Sequence, residues 1–159
     1  MSERWQNTKW RQDSVCEKTE ILDVFPGNLR SSDYGIFLAV SHDCDIANGN
    51  VAKEPFIEFI PAKFLDSKDG HYLYGKNPRI LHLQLFKNNL PCFVEIEAHA
   101  RFCLEKEKLL SIYPNENYRL ADRDKKILRD WLATRYRRHA FPNALGDILE
   151  KGKFWELLT

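Results

Sequence analysis

Two runs of alternating residues, joined by a pair of asparagines, constrain this chain more than anything else in it. Leu81, Leu83 and Leu85 alternate with His82, Gln84 and Phe86, while Val94, Ile96, Ala98 and Ala100 alternate with Glu95, Glu97, His99 and Arg101. A period of two marks strands with one face on a core. Asn88 and Asn89 can supply the positive φ angles of a two-residue hairpin turn. That turn sets Leu83 against Val94 and Leu81 against Ile96, with His82 against Glu95 on the other side. One face is then wholly apolar, and the other carries His82, Gln84, Glu95 and Glu97. A slip of one residue would mix the faces, so the pattern fixes the register. The polar face reads as the outside of a half-exposed sheet, where cross-strand pairs of this kind are ordinary, in preference to an acid–base or metal site.

A second strand is expected over 34–41. Ile36-Phe37-Leu38-Ala39-Val40 is a short unbroken apolar run flanked by Gly35 and by Asn48-Gly49-Asn50, the pattern of a strand buried on both faces. It leads into Ser41-His42-Asp43-Cys44-Asp45, a packed set of reactive side chains where the strand leaves the core. In an extended chain His42 and Cys44 share one side, and Asp43 and Asp45 the other. Three readings stay open. Cys44 packs as a small apolar residue while the two carboxylates hold the turn at 46–50. Alternatively, Asp43 and Asp45 belong to a ligand-binding loop. In the third, Cys44 is the nucleophile of a hydrolase or transferase with His42 as its base. The flanking carboxylates oppose the third, because negative charge raises a thiol pKa. A metal would need a distant third ligand such as His82 or His99, and no metal or cofactor is assigned.

The other elements follow from local signals. Ser14-Val15-Cys16-Glu17 suggests a short strand, Phe25-Pro26-Gly27-Asn28 a turn, and 31–33 a loop. Residues 1–12 are polar and read as a frayed start with Trp10 docked on the domain. A strand over 55–61 is limited by Pro55 and Pro61. Residues 104–110 suggest a short helix. The strongest helix is 122–138, with Asp122 as its N-cap and Ile127, Leu128, Trp131, Leu132 and Tyr136 as its apolar stripe. Arg135-Tyr136-Arg137-Arg138-His139 lies at its C-terminal end. Arginine beside an aromatic suits phosphates or nucleic acid, and basic residues at a helix C-terminus also complement the helix dipole. Phe141-Pro142 interrupts this helix before a second one carrying Leu145, Ile148 and Leu149. Trp155, Leu157 and Leu158 crowd the tail, which reads as a docked end, a surface for a protein partner, or the cut edge of a longer protein.

At 159 residues the chain fits one domain over 1–159. The expected fold class is α+β. An antiparallel sheet or small partly closed β-barrel built from 12–103 is covered by C-terminal helices from 104 on, chiefly 122–138. A formal net charge of +1 excludes a protein that coats nucleic acid by bulk charge, though not a local basic patch. Four cysteines without a C-x-x-C pair, and no apolar export segment, favour free thiols in the cytoplasm. No run is long enough to span a bilayer, so no membrane partner is expected.

Three pieces of the chain, Trp10-Arg11-Gln12-Asp13-Ser14-Val15, Val40-Ser41-His42-Asp43-Cys44-Asp45, and Trp131-Leu132-Ala133-Thr134-Arg135-Tyr136 followed by Ala140-Phe141-Pro142, together resemble a loose group of uncharacterised bacterial proteins. Some of that group are associated with phage-defence gene neighbourhoods. The resemblance spans most of the chain and implies a setting, without an activity or assigned catalytic residues. The apolar strand ending in serine also resembles the small barrel of MazF-like endoribonucleases. However, Asp13-Ser14 stands where that family has Gly-Asp, and the family's Arg-Pro before the strand is missing. The leading expectation is a binding or accessory module of a defence-type system that recognises nucleic acid or another phosphate-bearing ligand. Its candidate ligand-binding residues are Asp43, Asp45, Arg135, Arg137, Arg138 and His139. Under the alternative, His42 and Cys44 are catalytic.

Overall fold

A computed structural model describes residues 2–24, 26–29 and 33–139, with only the backbone described for 2, 3, 28 and 135–139. In chain order the elements are α1 (Ser2–Gln6), β1 (Val15–Glu17), β2 (Ile36–Ala39), α2 (Asp43–Ala47), β3 (Phe56–Leu65), β4 (Ile80–Lys87), β5 (Leu90–Glu97), β6 (Phe102–Glu105), α3 (Lys106–Leu109), β7 (Tyr118–Leu120) and α4 (Asp122–His139). Short 3-10 turns lie between several of them. The seven strands form one antiparallel sheet in the order β1-β2-β3-β5-β4-β7, with β6 also on β3. The fold is α+β, and the sheet is nearly closed into a barrel.

The hairpin forms in the register its pattern requires. Leu83 lies opposite Val94, Leu81 opposite Ile96 and His82 opposite Glu95. Asn88 (φ 50°) and Asn89 (φ 65°) both take the left-handed conformation of a two-residue turn. Leu81, Leu83, Leu85, Val94 and Ile96 are fully buried. The opposite face is less open than the alternation suggests. His82 is only 5% exposed, with the ring of Tyr72 5.0 Å away. Its Nδ1 accepts from the Asp69 amide (3.0 Å), so Nε2 carries the proton and donates to Glu95 (2.9 Å).

Strand β2 is buried on both faces, and the core accordingly has two layers. Ile36 and Leu38 join Ile60, Leu83, Val94 and Ile96 on one side, covered by Leu128, Trp131 and Leu132 of α4. Phe37 and Ala39 join Phe59, Ile57 and Leu104 on the other, covered by Trp5, Trp10, Ile46 and Leu109. The second cover was not expected. It comes from short helices too brief to show a period, and the chain is not frayed at Trp5, which is 1% exposed. Trp10 docks as expected, with Nε1 donating to the Ile112 carbonyl (3.0 Å).

The expected limits of the sheet need three corrections. Strand β3 does not stop at Pro61 but continues to Leu65. On one flank Pro61 faces Phe37 of β2; on the other, pairing with β5 reaches Ala62 and pairing with β6 resumes at Phe59. Its missing N–H therefore falls in a gap where no ladder bond is required. A three-residue 3-10 turn, Ala98–Ala100, fills that gap between β5 and β6. The sheet also runs past 103: β6 extends to Glu105, and β7 adds an edge beside β4. At the start of α4, the Ala121 carbonyl accepts the first helical bond, from Lys125 N (2.9 Å), so Asp122 lies inside the first turn rather than capping it.

The two edges of the sheet are joined by side chains. Glu17 of β1 accepts from the Tyr118 hydroxyl of β7 (2.7 Å) and from Lys87 Nζ (3.1 Å), and the Asn115 amide donates to the Val15 carbonyl (2.7 Å). The second helix expected after Pro142 and the tail around Trp155 lie outside the described residues.

Candidate functional site

The chain does not stay extended after β2. Val40 N still donates to the Glu58 carbonyl (2.9 Å), and Ser41 Oγ then accepts from the Glu58 amide (2.8 Å). At His42 the backbone is extended (φ −63°, ψ 148°), and its carbonyl accepts the first bonds of α2, from Asp45 N and Ile46 N. His42 and Cys44 therefore do not share a side in the way an extended chain requires. Aspartates are at home here, since Asp43 and Asp45 lie in the first turn of a helix. This five-residue helix overrides the strand continuation because Ile46 is pulled into the second core layer.

Helix α2 is held from beneath by a residue that no local pattern singles out. Lys106 is fully buried, and its Nζ donates to the carbonyls of Asp45 (2.6 Å) and Asn48 (3.0 Å). Trp5 Nε1 donates to the carbonyl of Ile46 between them. An ammonium group thus completes the C-terminal end of α2, where carbonyls lack helical partners. Burial pushes the Lys106 pKa down, with Glu54 and Asp45 opposing that shift.

In front of α2 lies a cleft of about 250 Å³. Ser41, His42 and Asp45 form one wall, Arg129, Leu132 and Ala133 of α4 another, and Glu58 with Arg101 the floor. Gln12 closes one end. Its amide donates to Asp43 Oδ1 (2.6 Å) and its side chain to the Val40 carbonyl (3.3 Å). Arg101 is placed by its own turn: Nε donates to the Ala98 carbonyl (3.3 Å), and Nη1 meets Glu58 at 3.1 Å. Arg129 Nη2 reaches Asp13 at 3.1 Å. Asp13 is a buried counter-ion. Its side chain is 6% exposed, its Oδ1 has no hydrogen-bond partner, and burial raises its pKa despite Arg129 and Lys125.

Of the expected site residues, His42 and Asp45 line this cleft, and Asp43 supports its rim through Gln12. Cys44 is exposed and does not line it; its sulfur lies 3.7 Å from an oxygen of Asp45. No imidazole is placed beside that thiol among the described contacts. His82 is engaged with Asp69 and Glu95, and among the described residues no three His, Cys, Asp or Glu side chains converge to hold a metal ion. Positions 135, 137, 138 and 139 lie on the last turns of α4, and the side chains of Arg135, Arg137, Arg138 and His139 lie outside the described residues. Arg101 and Arg129, which line the cleft, stand in the sequence as the end of an alternating strand pattern and as a position inside the 122–138 helix. Among the described residues no helix is long and apolar enough to cross a membrane. No known family model matches the chain, and no curated protein shows significant similarity to it.

Proposed function

We propose that this domain is a cytoplasmic binding or accessory module of a defence-type system, and that its cleft takes a nucleotide unit of a nucleic acid or another phosphate-bearing ligand. One observation carries the reading: the guanidinium groups of Arg101 and Arg129, delivered by different elements, reach one cleft opposite His42 and Asp45. Planar guanidinium forks suit phosphate oxygens, and each is already oriented by a carboxylate. The Arg129 side chain is half-exposed, so a phosphate can compete with Asp13 for that guanidinium. Asp45 and Glu58 keep the cleft from being purely cationic. They suit a ligand that also offers donors, as the sugar hydroxyls and base amino groups of a nucleotide do. The defence setting rests on the resemblance of the three sequence segments.

Calorimetric titration with nucleoside monophosphates, with the parent nucleosides as controls, tests the cleft. Arg129→Gln should weaken nucleotide binding about tenfold or more, the effect of losing one charge-assisted hydrogen bond, and leave nucleoside binding unaffected. Absence of nucleotide binding at low salt refutes the reading. Phage challenge of cells with and without the gene tests the setting.

A further inference from the structure

We propose a second binding surface, which shares no lining residue with the cleft: the outer face of β4, β5 and β7 binds single-stranded nucleic acid, with one base held in a pocket lined by Tyr74 and Phe86. Four cations gather here, each over an aromatic ring. Arg123 lies 4.3 Å from the Tyr74 ring centre, Arg119 4.7 Å from Phe86, Lys68 4.9 Å from Phe93, and Lys76 5.9 Å from Tyr74. None of the four forms an ion pair with a described residue, whereas Lys63, Lys87, Arg101 and Arg129 elsewhere each have a carboxylate. The carboxylates nearby are engaged. Asp124 accepts from the Gln84 amide (2.8 Å), Glu95 from His82, Asp69 from the His71 amide (2.8 Å), and Asp122 faces Lys125 at 3.6 Å.

Between the cations lies a cavity of about 270 Å³, lined by Tyr74, Phe86, Lys68, Arg123, His82 and Gln84, with the Asp124 carboxylate, bonded to the Gln84 backbone amide, also in its wall. The Gln84 side-chain amide has no hydrogen bond to a described residue. A nucleobase fits these features together. Its faces stack on aromatic rings, its edge takes the Gln84 amide, and the flanking phosphates take the unpaired cations. The rings are covered by cations in the free protein. Exposed contacts of that kind are weak enough to exchange for a base on one side and a phosphate on the other. A duplex cannot use such a pocket, because its bases are already stacked. This commits the surface to single strands.

Fluorescence anisotropy with a labelled mixed-sequence RNA strand, the same sequence as DNA, and the corresponding duplex tests the proposal. Four phosphate contacts to a single strand give a log–log salt slope of about −3. The double variant Arg119→Gln/Arg123→Gln should flatten that slope by about 1.4, as two lost contacts require. Tyr74→Ala, at a half-exposed side chain, should lower affinity at every salt concentration and leave the slope unchanged. All variants are checked for an unchanged melting temperature. Arg129→Gln reports on the cleft separately. If it abolishes binding while the double variant does not, the strand binds at the cleft and this surface assignment is wrong. No binding at low salt, or equal affinity for the duplex, also overturns it.

Discussion

Lys106→Met isolates what holds the cleft wall in place. Methionine fills most of the volume and removes the ammonium. The two bonds to the carbonyls of Asp45 and Asn48 are charge-assisted, each worth about 1.5–3 kcal/mol net, for a gross loss of about 3–6 kcal/mol. The offset is relief from burying a charge, which takes back about 1–3 kcal/mol when the replacement is apolar and packs well. The expected net loss is about 2–3 kcal/mol, a fall in melting temperature of roughly 4–12 °C for a chain of this size. Urea and thermal melts measure it. The pH dependence gives a second signature. Burial sets the folded pKa of Lys106 below its ordinary 10.5, so between the two values the unfolded chain binds more protons. Lys106 therefore makes stability rise with pH across that window, and the difference between wild-type and variant curves should show this rise. Nucleotide binding should weaken as well, although Lys106 does not line the cleft, because α2 carries His42 and Asp45. A variant as stable as wild type, with unaltered binding, would show that Trp5 and Ile46 suffice to hold α2.

Leu83→Asp buries a carboxylate opposite Val94 and should abolish soluble folding, at a cost of several kcal/mol against a typical domain stability of about 5–15 kcal/mol; circular dichroism of the expressed protein decides. Glu17→Gln should cost about 1 kcal/mol by loosening the bridge between the sheet edges. The Tyr118 hydroxyl, then Lys87, hold the Glu17 carboxyl below its ordinary 4.5. Its stabilisation is thus complete above pH 4.5 and lost as pH falls through the folded value, so acid melts of the variant should lack that component. Cys44→Ser, at an exposed thiol, should change stability by less than about 0.5 kcal/mol. Loss of a measured turnover in that variant would establish a catalytic thiol and overturn the binding reading of the loop.

The hairpin and the doubly buried strand were legible because each rests on a period that local sequence carries. Asn88 and Asn89 named the turn, and the turn fixed every cross-strand pair after it. Strand β7 was not legible, since Tyr118, Arg119 and Leu120 are too few to show alternation. Nor was the passage of β3 through Pro61, which depends on a gap in partners far along the chain. The same holds at the site. Ser41 to Asp45 drew attention by composition, and His42 and Asp45 do line a cleft. The helix that turns Cys44 outward is imposed by Ile46 and Lys106 through tertiary contacts. Arg101 and Arg129 became site residues only when the sheet and α4 brought distant positions together.

The turn at Ala98–Ala100 acts as a ruler. Its three residues set how far β6 lags behind β5 along β3, and the residues on either side of β6 are Arg101 and Lys106. Deleting one residue from it would swap the faces of Phe102, Cys103, Leu104 and Glu105. Arg101 would leave the cleft, and Lys106 would lose the carbonyls beneath α2. A length change that most surface turns absorb would here dismantle two sides of a binding site at once. Insertions and deletions should therefore be far less tolerated at 98–100 than substitutions at its exposed position, His99.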